Sequence, residues 1–121
     1  MPQAQPSRIA IVDDDEAVRH AMGFLLTSLG RDNDIFDSGE AFLAAEPARY
    51  AGLITDYQMP QTTGLQLARR LRDRSIVMPT LLVSGALTNE VIRAARALGV
   101  EHFASKPAST AQIAEFLASA P

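Results

Sequence analysis

At 121 residues the chain is long enough for one domain with a single core and leaves little room for a second. Hydrophobic residues make up 47% and charged residues 21%, the balance of a globular rather than a disordered chain. A formal net charge of -3 argues against nonspecific nucleic-acid binding, and the lack of cysteine removes disulfides, thiolate metal sites and thiol nucleophiles.

The opening segment, residues 1–7, has no apolar stretch of the kind that targets a chain for export, and reads as a flexible lead-in. No later stretch approaches the ~20 apolar residues needed to span a bilayer, so a soluble, cytoplasmic chain is expected. From residue 8 to residue 118, short apolar runs alternate with longer segments of helical period, the pattern of repeated βαβ units around a parallel sheet.

The first strand is expected at Ile9–Val12 and runs into Asp13, Asp14 and Asp15. Val18, Met22, Leu25, Leu26 and Leu29 then recur at spacings of three and four, and Gly30 is placed to stop that helix. A second strand is expected at Asp34–Phe36, followed by a helix that Ser38 caps and that ends before Pro47. The third strand, Leu53–Thr55, runs into Asp56, and a helix from about Gly64 to Asp73 comes next. A fourth strand, Thr80–Val83, leads to Ser84, and Thr88 caps a helix that Gly99 closes. The fifth strand, His102–Ser105, precedes Lys106, and the last helix starts near Ser109. Residues 119–121 are expected to form a tail or the start of a linker.

Right-handed crossovers place the C-terminal ends of parallel strands on one edge, where doubly wound proteins bind ligands. Asp13, Asp14, Asp56, Ser84 and Lys106 all fall on that edge. Clustered carboxylates repel one another unless a cation neutralises them, and oxygen donors suit a hard ion such as magnesium, which shares its shell with phosphate oxygens. Asp56 is then the candidate nucleophile, with Lys106 and the Ser84 hydroxyl available to phosphate oxygens.

These residues resemble the receiver domains of two-component response regulators. The resemblance lies in Ile11-Val12-Asp13-Asp14, in Thr55-Asp56-Tyr57-Gln58-Met59-Pro60, in Gly64, in Val83-Ser84-Gly85 and in Ser105-Lys106-Pro107, in that order and spacing. It implies an α/β fold, a doubly wound five-stranded parallel sheet in the order 2-1-3-4-5 flanked by five helices. It further implies that Asp56 accepts a phosphoryl group from a sensor histidine kinase or a histidine phosphotransfer protein. Magnesium or manganese would be held by Asp14, Asp56 and the backbone carbonyl of Gln58, with Asp13 assisting. Ser84 and Phe103 would form the switch, and the surface of the fourth helix, fifth strand and fifth helix would respond, with room for a phosphorylation-dependent dimer. The family often carries a cis bond at the position of Lys106-Pro107.

Three departures stand out. Ala108 replaces a common Phe and Gly85 a common Ala, so looser packing is expected near the switch, and Phe103 replaces a common Tyr and offers no hydroxyl to a partner. Asp15 reads as a helix cap or a solvated acid rather than a ligand. His20 and His102 lack a paired spacing and read as surface or packing residues, and Arg69, Arg70, Arg72 and Arg74 as a solvated face at a helix end.

Two other functions compete with a signalling phosphoacceptor that is not an enzyme. An Asp-nucleophile phosphohydrolase would need a general acid/base, which Tyr57 does not supply, and a cap, for which the chain has no insertion. A phosphorylation-independent binding module would keep the pocket without using Asp56. The donor, the output domain or target, and whether the chain stands alone or belongs to a longer regulator are left open by the sequence, in which no DNA-reading element is apparent.

Overall fold

The computed structural model describes residues 7–120; residues 1–6 of the expected lead-in, and Pro121 of the expected tail, lie outside the described residues. The strands are β1 Ile9–Val12, β2 Asn33–Phe36, β3 Gly52–Asp56, β4 Thr80–Ser84 and β5 His102–Ser105. They form one parallel sheet in the order β2-β1-β3-β4-β5, as the resemblance implied. The helices are α1 Glu16–Ser28, α2 Gly39–Ala44, α3 Gly64–Asp73, α4 Asn89–Ala97 and α5 Thr110–Ser119, with a 3-10 turn at Pro47–Arg49 that the sequence pattern did not suggest. Ser119, expected in a tail, closes α5, and Ala120 beyond it is buried.

The three central strands are buried along their whole length, which is why they read as unbroken apolar runs rather than alternating ones. Successive side chains still point to opposite faces. Ile9, Ile11, Ile54, Leu81 and Val83 pack with Leu26 of α1 and Ile113 and Phe116 of α5. Ala10, Val12 and Leu53 pack the other way, with Phe42 and Leu43 of α2 and Leu67 and Leu71 of α3. Leu82 joins Ala68 and Ala95 in a smaller cluster beside α4.

Every helix begins at a side-chain cap. Side chains of Asp15, Ser38, Thr63, Thr88 and Ser109 each accept from a backbone N–H in the first turn of their helix, and Thr63 with Gln66 and Ser109 with Gln112 form reciprocal boxes. Gly30 and Gly99 take the left-handed backbone that ends α1 and α4.

Away from the acidic edge, Arg8 grips Asp34 with Nε and an NH2 nitrogen at 3.1 and 3.0 Å, and the Tyr50 hydroxyl donates to the same carboxylate at 2.8 Å. The network ties the starts of β1 and β2 to the segment before β3. The Arg8 hydrogen bond holds the Asp34 carboxyl below its ordinary range, while burial and the Asp34 contact push Tyr50 up to about 12. A depressed carboxyl stabilises the fold above its unfolded pKa and loses that contribution as pH falls through the folded one. Asp34→Asn should therefore lower stability at pH 7, by roughly 0.5–1 kcal/mol once solvent exposure is discounted, with the deficit shrinking below about pH 4. Denaturant titration of both proteins at the two pH values measures this.

Candidate functional site

Parallel pairing sets Val12 beside Thr55 and Asp56 beside Val83, so the ends of β1, β3 and β4 line up and the acids beyond them meet. Asp13, Asp14 and Asp56 offer carboxylate oxygens that all lie within 4.8 Å of one another. Asp13 and Asp56 are each 5% exposed, whereas Asp14 is open to solvent. Asp56 is the last residue of β3 and Ser84 the last of β4, one position further into the sheet than the sequence pattern suggests, because strand pairing continues through them.

Lys106, in the turn after β5, brings its Nζ to 3.2 Å from an oxygen of Asp13 and 3.2 Å from an oxygen of Asp56. Its backbone N–H donates to the Ser84 carbonyl at 2.9 Å, which fixes the start of that turn, and the Lys106–Pro107 bond is cis. Burial pulls the lysine's pKa down, but its bonds to the two carboxylates outweigh this and raise it overall. For Asp56, burial is the largest influence and raises its pKa; the Asp13 charge acts in the same direction, while Lys106 and the Gln58 backbone N–H favour the charged form. One ammonium thus stands against three acids, and the donor set is oxygen throughout, a charge imbalance and a chemistry that fit a hard divalent cation.

The surroundings hold these groups in place. Asp13 accepts the Asp15 backbone N–H at 2.9 Å, and its carbonyl accepts from the Arg19 guanidinium at 3.0 Å. Of the two readings open for Asp15, the cap is the one found: it caps α1, accepting from Val18 N–H at 3.1 Å. Beyond Asp56, the Gly64 N–H donates to the Tyr57 carbonyl at 2.9 Å. A Cβ at position 64 would lie 2.6 Å from the Asp56 carbonyl oxygen, so only glycine lets α3 begin this close to β3. Ser84 is fully buried and its hydroxyl accepts from the Ala86 N–H at 3.0 Å. Gly85 faces open space, with nothing near an added Cβ.

Phe103 is half-buried on β5 beside the cluster of Leu82 and Ala95, with the Arg96 guanidinium 5.6 Å from its ring centre. Gln58 is exposed. His20 lies on the surface 4.0 Å from Glu16, and the His102 ring packs edge-on against Phe116. Arg69, Arg70, Arg72 and Arg74 are exposed, and two of them bond backbone carbonyls of Ala97 and Leu43. Ala108 lines an apolar cavity of about 190 Å³ between α1 and the turn after β5, which Ile11, Ile54, Asp13, Asp56 and Lys106 also line. The switch residues Ser84 and Phe103 do not line this space. Two residues the sequence did not single out, Glu40 and Thr62, bond each other beside the loop after Asp56.

The family model described as "Response regulator receiver domain" matches residues 9–118. The chain belongs to the response regulator receiver domain family. It is 37% identical over 100 residues to the transcriptional regulatory protein FixJ of Rhizobium meliloti, covering 82% of this chain and 49% of that one. It is 34% identical over 104 residues to the response regulator protein TodT of Pseudomonas putida, covering 84% of this chain and 45% of that one. The chain spans about half the length of these curated relatives. The solved structure of FixJ-N superposes with a TM-score of 0.84 at 33% identity over 95% of this chain and 93% of that one. The chemotaxis protein CheY4 of Vibrio cholerae shares the fold with a TM-score of 0.87 at 24% identity, covering 95% of this chain and 98% of that one. The protein is thus a two-component signalling domain, and among its described residues no helix is long and apolar enough to cross a membrane.

The receiver's acid cluster should cost stability when no cation is present. Raising a buried carboxyl's pKa means that its ionised form destabilises the fold above the folded pKa, a penalty absent below the unfolded value of about 4. Asp56→Asn should therefore raise the melting temperature at pH 7 in chelator, by roughly 4 °C for each ~1 kcal/mol recovered, and the gain should vanish near pH 4. Gly64→Ala should do the reverse, losing about 1–3 kcal/mol from the forced backbone shift. Calorimetry of the three proteins tests both.

Proposed function

We propose that this receiver domain is a phosphoacceptor, taking a phosphoryl group on Asp56 from the phosphohistidine of a sensor histidine kinase or histidine phosphotransfer protein. The observation that carries this reading is the convergence of three carboxylates within 4.8 Å on a lysine that lies 3.2 Å from two of them. Family membership and the relatives named as response regulators support it.

In this reading an Asp56 oxygen attacks phosphorus and the P–N bond of the donor breaks. Its electron pair remains on the imidazole, and the product is an acyl phosphate. Magnesium or manganese, held by Asp14, Asp56 and the Gln58 carbonyl with Asp13 beside them, would screen the charge of the incoming phosphoryl group. Lys106 exchanges a carboxylate partner for a phosphoryl oxygen and keeps that charge compensated after transfer. Asp13 holds the lysine in position from the other side. Few groups are required because the work is positioning and charge stabilisation.

Ser84 and Phe103 would carry the signal outward. The Ser84 hydroxyl, now engaged by Ala86 N–H, would turn toward a phosphoryl oxygen, and Phe103 would move inward from beside Arg96. The surface of α4, β5 and α5 would change and bias an output-competent state, with a phosphorylation-dependent dimer as one readout. The protein would act in the cytoplasm as a signalling module, not an enzyme, assisting only its own phosphorylation and dephosphorylation. Its similarity to a transcriptional regulatory protein supports a regulatory output coupled to that surface.

Incubation with acetyl phosphate and magnesium should add one phosphoryl mass to the wild type, and the adduct should be absent from Asp56→Asn and suppressed by chelator. Intact-mass spectrometry reads all three; an equal adduct on Asp56→Asn would overturn the reading.

A further inference from the structure

The loop between β3 and α3, residues 57–63, is pinned at both ends. At its start the Tyr57 N–H donates to the Val83 carbonyl at 2.8 Å and its own carbonyl accepts from Gly64. At its far end Thr62 is only 7% exposed, and its hydroxyl donates to Glu40 Oε1 at 2.6 Å across 22 residues of sequence. At 2.6 Å this is a short hydrogen bond, with the hydroxyl as donor.

Between the pins the Gln58 backbone N–H bonds the Asp56 carboxylate, and most side chains are open to solvent. Gln58, Pro60 and Gln61 are exposed, and Gln61 sits in the left-handed region at φ 69°, which a residue with a Cβ adopts at a cost. Met59 alone buries its side chain, in the cluster with Phe42 and Leu67. Thr62 N–H turns back onto the Pro60 carbonyl at 2.8 Å, so the backbone that presents Gln58 is continuous with the residue Glu40 holds.

Glu40 is ill suited to a purely local task. Ser38 already caps α2, and the second Glu40 oxygen is buried without a hydrogen-bond partner on the protein, a situation that costs stability. Its neighbour Gly39 is seated so closely that a Cβ there would stand 3.1 Å from the Thr62 methyl. The first turn of α2 is therefore fitted to Thr62 by both residues.

We propose that Glu40 is a positioning residue: acting through Thr62, it fixes the loop after Asp56 and so sets the rate at which Asp56 takes up a phosphoryl group. The inference rests on the phosphoacceptor reading. In geometric terms, Glu40 links α2, on the flank of the sheet, to the backbone beside the acid cluster. Misplacement of a loop by a fraction of an ångström is enough to change a reaction that depends on alignment.

The test measures the uptake rate from acetyl phosphate in magnesium, with thermal melts run alongside. Thr62→Val deletes the hydroxyl at nearly constant volume and should slow uptake on the order of tenfold. Glu40→Ala removes the acceptor together with its unpartnered oxygen, keeps the fold, and should slow uptake to a similar extent. The double variant should be no slower than either alone, because the two residues act as one joint. Thr62→Ser and Glu40→Gln, which keep a donor and an acceptor, should stay close to wild type, a rescue that loss of packing alone does not predict. Folded Glu40→Ala taking up phosphate at the wild-type rate would overturn the inference while leaving the phosphoacceptor reading intact. A wild type that takes up none would overturn both.

Discussion

The ammonium of Lys106, 3.2 Å from Asp13 and 3.2 Å from Asp56, is the interaction on which the acidic edge of this protein depends. Two buried carboxylates so close together would otherwise repel. The lysine opposes the effect of burial on Asp56, yet it supplies one positive charge where Asp14 adds a third acid. The edge is therefore held together but left short of positive charge, a shortfall that a hard divalent cation fits.

The same balance connects fold and function. The sheet is assembled from apolar runs whose alternate residues pack against helices on opposite faces, and this packing is indifferent to the residue type that ends each strand. Because all five strands are parallel, the residues at their ends are forced onto one edge whatever their charge. The core thus bears the electrostatic cost of gathering acids there. Gly64 shows how closely the two are coupled, since α3 can begin beside Asp56 only where no side chain intervenes.

Much of this could be read from the chain. The caps Asp15, Ser38, Thr88 and Ser109 act on backbone groups three residues away, so local sequence contains the whole interaction; Thr63 is obscured by Thr62 beside it, an equally good capping type. Asp13, Asp14, Asp56, Ser84 and Lys106 were legible as a set because parallel topology converts their places after apolar runs into neighbourhood. The strand limits were less so. Asp56 and Ser84 belong to their strands through pairing with Val83 and Ser105, and a polar residue at the end of an apolar run carries no mark of such a partner. The Arg8–Asp34–Tyr50 network and the Glu40–Thr62 bond were invisible for the same reason, since each joins polar residues far apart in sequence that look like ordinary surface groups one at a time. The cavity beside Ala108 was not legible, because it is lined by α1 and the turn after β5 together.

The central claim is that Asp56 itself carries the phosphoryl group, and residue-level trapping tests it most directly. Reduction of the phosphorylated protein with borohydride converts an acyl phosphate to an alcohol, which peptide sequencing by mass spectrometry can place. Homoserine is expected at position 56 and at no other acid. Homoserine at Asp13, Asp14 or Asp15, with position 56 unchanged, would contradict the claim.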